Sequence, residues 1–353
     1  MTRTPNGRRL PLWIGVLAAG AVALASIATA QTPRPDAAAR PNAMAGASAA
    51  LEALLTRSGA GTWDRWWQRL QPVRDEFTQL ARGSRRGAHG YVLNKNAVDY
   101  LTDADLDAGV NGTRPRDVLV TLDQQLKARG IDFIYLPIPA IEEVYPENHL
   151  AMPPADGIVQ PRGRQFLLRL LQADVEVSDL LPVFRAARAG YGLGLKEDDH
   201  WNDRQIELAA RHVAARLASY PFAKAAAPDA ARYRTRAVTI AGERGVSTMS
   251  QVLTPEGRLY EDVEQSPVLV VGDSNLQVYQ YTNADMRNTG EHAGFTAHLA
   301  RALGMPVSLV AAGGFTPALL NREPRALTNR RVVVFVGSIV VVSRIAWPPV
   351  VLR

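Results

Sequence analysis

Ser274 stands where a hydrophobic run breaks. Val268-Leu269-Val270-Val271 is apolar and three of its four residues are β-branched, the composition of a fully buried strand. Gly272-Asp273 ends that run, and Leu276, Tyr279 and Gln280 can begin a helix beyond it. A serine on such a strand-to-helix turn is held rigidly with its hydroxyl exposed, and the turn aims backbone N–H groups at whatever the hydroxyl attacks. That arrangement suits acyl transfer. A Gly-Asp-Ser string also marks ordinary turns, so the chemistry requires a base from elsewhere in the chain.

The candidate base lies upstream, in Lys196-Glu197-Asp198-Asp199-His200-Trp201-Asn202. A serine hydroxyl is a poor nucleophile at neutral pH until an adjacent imidazole takes its proton. The imidazole in turn needs a carboxylate that fixes its tautomer and stabilises the charged ring. Asp198 and His200 are two apart, so in an extended segment both side chains leave on one face while Asp199 points away; a tight turn could exchange the two acids. The same residues also read as a helix start, with Asn202 or Asp203 preceding Ile206, Ala209, Ala210, Val213 and Leu217 at helical spacing. The two readings are compatible, because a cap can hold a histidine at a helix entrance.

The elements that must carry these residues alternate along the chain. Val118, Leu119, Leu122 and Leu126 mark a helix ending at Gly130, followed by a buried strand over Ile131 to Leu136. The pattern continues with a helix over Arg164 to Leu171, a strand over Asp174 to Val177 and a helix over Trp201 to Leu217. After the strand that leads to Ser274 come a helix over His292 to Leu303 and a strand over Val307 to Val310. The eleven-residue run Val332 to Val342 is too short to span a bilayer and rich in valine, so it reads as a central strand. Such alternation predicts an α/β fold with a mostly parallel sheet covered by helices on both faces. In that architecture ligands bind at the carboxyl ends of the strands, where Ser274 falls. Gly313-Gly314, after the strand Val307 to Val310, falls there too, and as a pair without side chains it is either an oxyanion-hole donor or a plain turn. Asp229 to Pro255 reads as a small hairpin within an insertion over about 221–260.

Gly272-Asp273-Ser274, preceded by Asp198-x-His200-Trp201-Asn202, resembles the SGNH-hydrolase-like proteins of the alginate O-acetyltransferase group, the AlgX/AlgJ type. In that family the Asp-x-His pair precedes the serine in the chain. Gly130 to Pro139 with Val144-Tyr145-Pro146-Glu147 resembles its first core strand and the stretch after it, and Val175 to Leu181 resembles the strand leading toward Asp-x-His. The resemblance spans about 85–340. It implies an SGNH-like, flavodoxin-like α/β fold and a Ser274–His200–Asp198 triad. It also implies O-acetyl transfer to an exopolysaccharide such as alginate, with acetyl delivered by a membrane-bound acyltransferase. SGNH enzymes often add an asparagine donor to the oxyanion hole. Asn275 adjoins the serine, with Asn283 and Asn288 nearby, but none sits in a Gly-x-Asn-Asp context. The family pattern also leads one to expect a carboxylate and an arginine soon after the last strand begins, where this chain has Gly337-Ser338-Ile339-Val340.

The N-terminus is a separate matter. Arg3, Arg8 and Arg9 precede an apolar stretch, Leu10 to Ala25, and Ala28-Thr29-Ala30 has the form of a cleavage site. Residues 1–30 therefore read as a secretory signal peptide, or as an uncleaved inner-membrane anchor, and place the protein in the periplasm. Residues 31–50 read as a flexible leader, and 51–353 as a single domain. Ala50 to Leu80 reads as a helix with Trp63, Trp66, Trp67 and Leu70 on one face, either core or a carbohydrate-stacking surface. Removing residues 1–30 takes away three arginines and no acid, which lowers the formal charge from +6 to +3, a balance that tolerates a polyanionic partner. No basic run or aromatic ladder points to nucleic acid. With no cysteine there is no disulfide, thiolate nucleophile or Cys-bound metal. The expectation is an exported polysaccharide O-acetyltransferase, monomeric, with no cofactor or metal. The alternatives are an acetylesterase of the same fold or a non-catalytic carbohydrate-binding relative.

Overall fold

The valine-rich runs become strands because each is buried on both sides. In the computed structural model, β1 (Asp132–Ile138), β2 (Glu176–Val177), β5 (Val268–Gly272), β6 (Ser308–Ala311) and β7 (Val332–Ser338) form one sheet in the order β2-β1-β7-β5-β6. Every neighbouring pair is parallel. The structure describes residues 39–57, 71–73, 75–79, 86–87, 89–103, 105–110, 112–154, 157–188, 200–242, 245–281, 292–311, 320–321 and 326–352. The residues within Pro35–Arg353 belong to one compact unit.

Alternate side chains of the sheet enter two separate cores. Phe133, Tyr135, Leu269, Val271, Val333 and Phe335 face the helices Pro115–Ala128 and Pro161–Gln172, through Leu119, Leu122, Phe166 and Leu170. Ile134, Leu136, Val268, Val270, Val334 and Val336 face the helices Asp203–Leu217 and Phe295–Leu303, through Ile206, Ala209, Val213 and Leu299. Helices therefore cover both faces, as the alternating pattern predicts. A separate two-stranded antiparallel sheet, β3 (Arg234–Gly242) with β4 (Gly245–Leu253), is the expected hairpin insertion.

Several expectations are corrected. The flexible leader over 31–50 is helical from Ala39 onward, in the helix Ala39–Arg57. Alanine has the highest helix propensity, and Leu51 is buried in the core with Met44 and Ala47 against it, so the segment has a face to pack. Residues 58–70, with the three tryptophans and Leu70, lie outside the described residues, as do residues 1–38 with the signal-peptide reading. Before the helix Lys95–Asp103, Val92 pairs with Arg86 in a single bridge. The strand read over Asp174 to Val177 shortens to Glu176–Val177, with Asp174 at φ 62 in the preceding turn. The helix read from His292 begins at Phe295. The last strand stops at Ser338, where both neighbours run out: β1 ends opposite Ser338 and β5 opposite Val336. A 3-10 turn, Ile339–Val341, continues the apolar run.

Candidate active site

The nucleophile turn is built from close strand approach and a cap. A Cβ added at Gly272 would lie 2.1 Å from the carbonyl oxygen of Val336, so β5 and β7 can meet this tightly only over a glycine. Asp273 then caps the single helical turn Ser274–Gln277. Its Oδ1 accepts the backbone N–H of Asn275 at 2.9 Å and the Asn275 side-chain amide at 3.0 Å. Its Oδ2 accepts the backbone N–H of Ser338 at 3.2 Å, tying the turn to the end of β7. The helix expected beyond Ser274 stops after this one turn: Val278 leaves helical geometry at ψ 128, and Tyr279 then adopts φ 65. The buried Tyr135 hydroxyl on β1 is pushed far up, first by burial and then by the charge of Asp273.

The base arrives from the opposite side of the chain. Asn202 caps the helix Asp203–Leu217 in a reciprocal box: its Oδ1 accepts the Gln205 N–H, and the Gln205 side chain accepts the Asn202 N–H, both at 2.9 Å. Trp201, buried just before the cap, stacks on Phe295 at 5.5 Å between ring centroids and 22° between planes. Its indole N–H donates to the carbonyl of Asn275 at 3.0 Å. With the two residues that follow it fixed, the Nε2 of His200 lies 3.2 Å from the Oγ of Ser274, across 74 positions of sequence. That distance is within reach for direct proton transfer, and it is the spatial relationship the motif reading requires.

Asp198 lies outside the described residues, and so do Gly313 and Gly314. Asn275 is placed, but its backbone N–H and side-chain amide both turn to Asp273, so it braces the turn rather than offering that backbone donor to an oxyanion. Sequence reasoning overlooked Asp273 and Trp201 as braces. For Asp273 a signal was available, since an aspartate directly before a helical turn is a preferred cap. For Trp201 none was, because its partner lies 74 positions away.

The rim beside this site is held by buried charge. Arg164, fully buried, donates to both oxygens of Asp179 at 2.7 Å and to Glu143 at 3.1 Å. Asp179 follows β2 and Glu143 lies in the short helix Ile141–Val144 after β1, so one guanidinium joins a loop to a helical turn at the carboxyl edge of the sheet. Burial alone would lower the guanidinium pKa; Asp179 and Glu143 outweigh it and hold the group charged. Among the described residues, no cluster of three or more His, Cys, Asp or Glu side chains could hold a metal ion.

Residues 98–250 match the family model described as the SGNH hydrolase-like domain of acetyltransferase AlgX. Over that segment, less than half of its length, the chain is similar to the AlgX/AlgJ family. The matched segment contains His200 and ends before Ser274, so the serine rests on the geometry given above. Among relatives of this family, the probable alginate O-acetylase AlgJ of Pseudomonas syringae pv. tomato is 29% identical over 136 residues, 37% of this chain and 34% of the relative. The protein of the same description from Pseudomonas aeruginosa is 25% identical over 134 residues, with the same two shares. The chain thus matches about a third of the length of these relatives. The structure of Pseudomonas aeruginosa AlgX superposes with a TM-score of 0.50 at 17% identity, covering 74% of this chain and 62% of that one. The fold is that of an SGNH hydrolase-like domain.

Proposed function

We propose that the protein is a polysaccharide O-acetyltransferase working through an acetyl-serine intermediate. The observation that carries the reading is the 3.2 Å approach of His200 Nε2 to Ser274 Oγ at the carboxyl edge of a parallel sheet. Ser274 Oγ attacks the acetyl carbonyl of a donor while its proton passes to His200 Nε2. The tetrahedral intermediate collapses, the donor's leaving group takes that proton, and acetyl-serine remains. A sugar hydroxyl then attacks the acetyl carbon, gives its proton to His200, and the proton returns to Ser274 Oγ as the sugar acetate leaves. Asp198 orients and stabilises the imidazole. The oxyanion is held by backbone N–H groups at Ser274 and at Gly313-Gly314.

The names of the relatives supply the substrate class: the acceptor is alginate or a related exopolysaccharide. On this reading a membrane-bound acyltransferase delivers the acetyl group, and the protein works in the periplasm, the location that a basic-then-apolar N-terminus suits. The test is incubation of the pure protein with 4-nitrophenyl acetate, with and without oligosaccharide. Acetylated sugar together with an acetyl adduct on Ser274 supports the transferase. Free acetate alone, at equal rate with sugar present, makes it an esterase, and neither product removes catalysis. Ser274→Ala must lose the adduct while keeping its fold; unchanged sugar acetylation by that variant rejects the assignment.

A further inference from the structure

Asp203 is the first residue of the helix Asp203–Leu217, three positions after His200, and the reaction above gives it no part. Its carboxylate is largely enclosed. Oδ1 accepts the backbone N–H of Ser250 at 2.9 Å, and Oδ2 accepts the Ser250 hydroxyl at 3.1 Å. Ser250 lies on β4, so both oxygens of one carboxylate grip the hairpin. From the third side, Nε2 of His298, on the helix Phe295–Leu303, stands 3.7 Å from Oδ1. That helix begins at Phe295, the residue on which Trp201 stacks.

The helix entrance is therefore clamped on both flanks. Trp201 binds it to the nucleophile turn and to Phe295, and Asp203 binds it to β4. Between the two clamps lies only Asn202, occupied by its capping box. His200 directly precedes Trp201, so a shift of the helix start moves its ring relative to Ser274. Proton transfer is sensitive to such shifts, since a displacement of about 1 Å can cost on the order of a hundredfold in rate. The hairpin joins no strand of the main sheet among the described residues, and this contact gives it a purpose beside the site.

We propose that Asp203 is a positioning residue: by fixing the helix start to Ser250 of the hairpin, it holds the His200 ring within reach of the Ser274 hydroxyl. The inference rests on reading His200 and Ser274 as base and nucleophile. An aspartate that merely favours the helix N-terminus would change stability and leave turnover per folded molecule alone.

Three full-length proteins separate the cases: the natural chain, Asp203→Ala and Asp203→Asn. Two quantities are read, acetate release from 4-nitrophenyl acetate and solvent exchange of the Trp201 indole N–H by NMR. Asp203→Ala is expected to lower kcat about tenfold with KM within about twofold, and to speed indole exchange. Asp203→Asn keeps an acceptor for the Ser250 N–H and is expected to recover kcat to within about threefold of the natural chain. Equal losses in both variants overturn the proposal, as does kcat per folded molecule unchanged in Asp203→Ala. If the natural chain forms no acetyl-serine, the reaction reading fails on its own. Indole exchange then decides the anchoring alone: faster exchange in Asp203→Ala upholds it, and identical exchange ends it.

Discussion

The indole N–H of Trp201 donates to the carbonyl oxygen of Asn275 at 3.0 Å. Each of these residues is the chain neighbour of one member of the 3.2 Å His200–Ser274 contact, so a buried bond between the neighbours sets the approach of the pair. Trp201→Phe keeps an aromatic ring against Phe295 but removes the donor and part of the buried ring volume, leaving a buried carbonyl unpaired. A loss of about 1–3 kcal/mol is expected in urea denaturation, with slower acylation of Ser274 by an activated ester. Acylation at the natural rate in a destabilised variant would show that the bond serves stability alone.

Gly272→Ala should be costly out of proportion to one methyl group. The new carbon would sit 2.1 Å from the Val336 carbonyl oxygen, and backbone on both strands must move to admit it. Overpacking of this kind costs about 1–3 kcal/mol, read as a drop in the thermal unfolding midpoint. Because Ser274 is two residues on, acetyl-serine formation should fall as well. A variant with the natural melting temperature would contradict the close strand approach.

Arg164→Met removes the cation from a fully buried group and strands Glu143 and Asp179 beside it. Breaking one side of a buried ion pair costs about 3–5 kcal/mol, measurable by chemical denaturation. Adding Glu143→Gln and Asp179→Asn to the same chain should restore part of the loss, since the uncompensated charges then disappear. If the triple variant is less stable than Arg164→Met, charge is not the cause.

His149 carries a pH signature. The ring is buried against Tyr91, with centroids 6.1 Å apart, and burial presses its pKa down to about 4. The unfolded chain takes up the proton near the ordinary value of about 6.5, before the folded chain does. The neutral ring's contribution is therefore complete above pH ~6.5 and is lost as pH falls toward about 4, by up to about 3 kcal/mol. His149→Phe should flatten that limb of the stability–pH curve, followed by urea midpoints between pH 7 and 4. An identical slope in the variant would assign the acid sensitivity to other groups.

Local pattern reached a good part of this protein. The strand ending at Gly272, the Asn202 helix start and the hairpin over Asp229 to Pro255 each have a signature a few residues long, because burial period, capping chemistry and turn residues act on near neighbours. The family motif likewise named Ser274 and His200 as a pair. What no run of residues could disclose is the long-range arrangement. The last strand, β7, inserts between β1 and β5, and Trp201 finds a carbonyl 74 positions away. Asp273 reaches Ser338, and Asp203 reaches Ser250 on a different sheet. These contacts depend on how separate faces close over two cores, and packing is decided by the whole set of side chains at once, so only the folded chain could assign them.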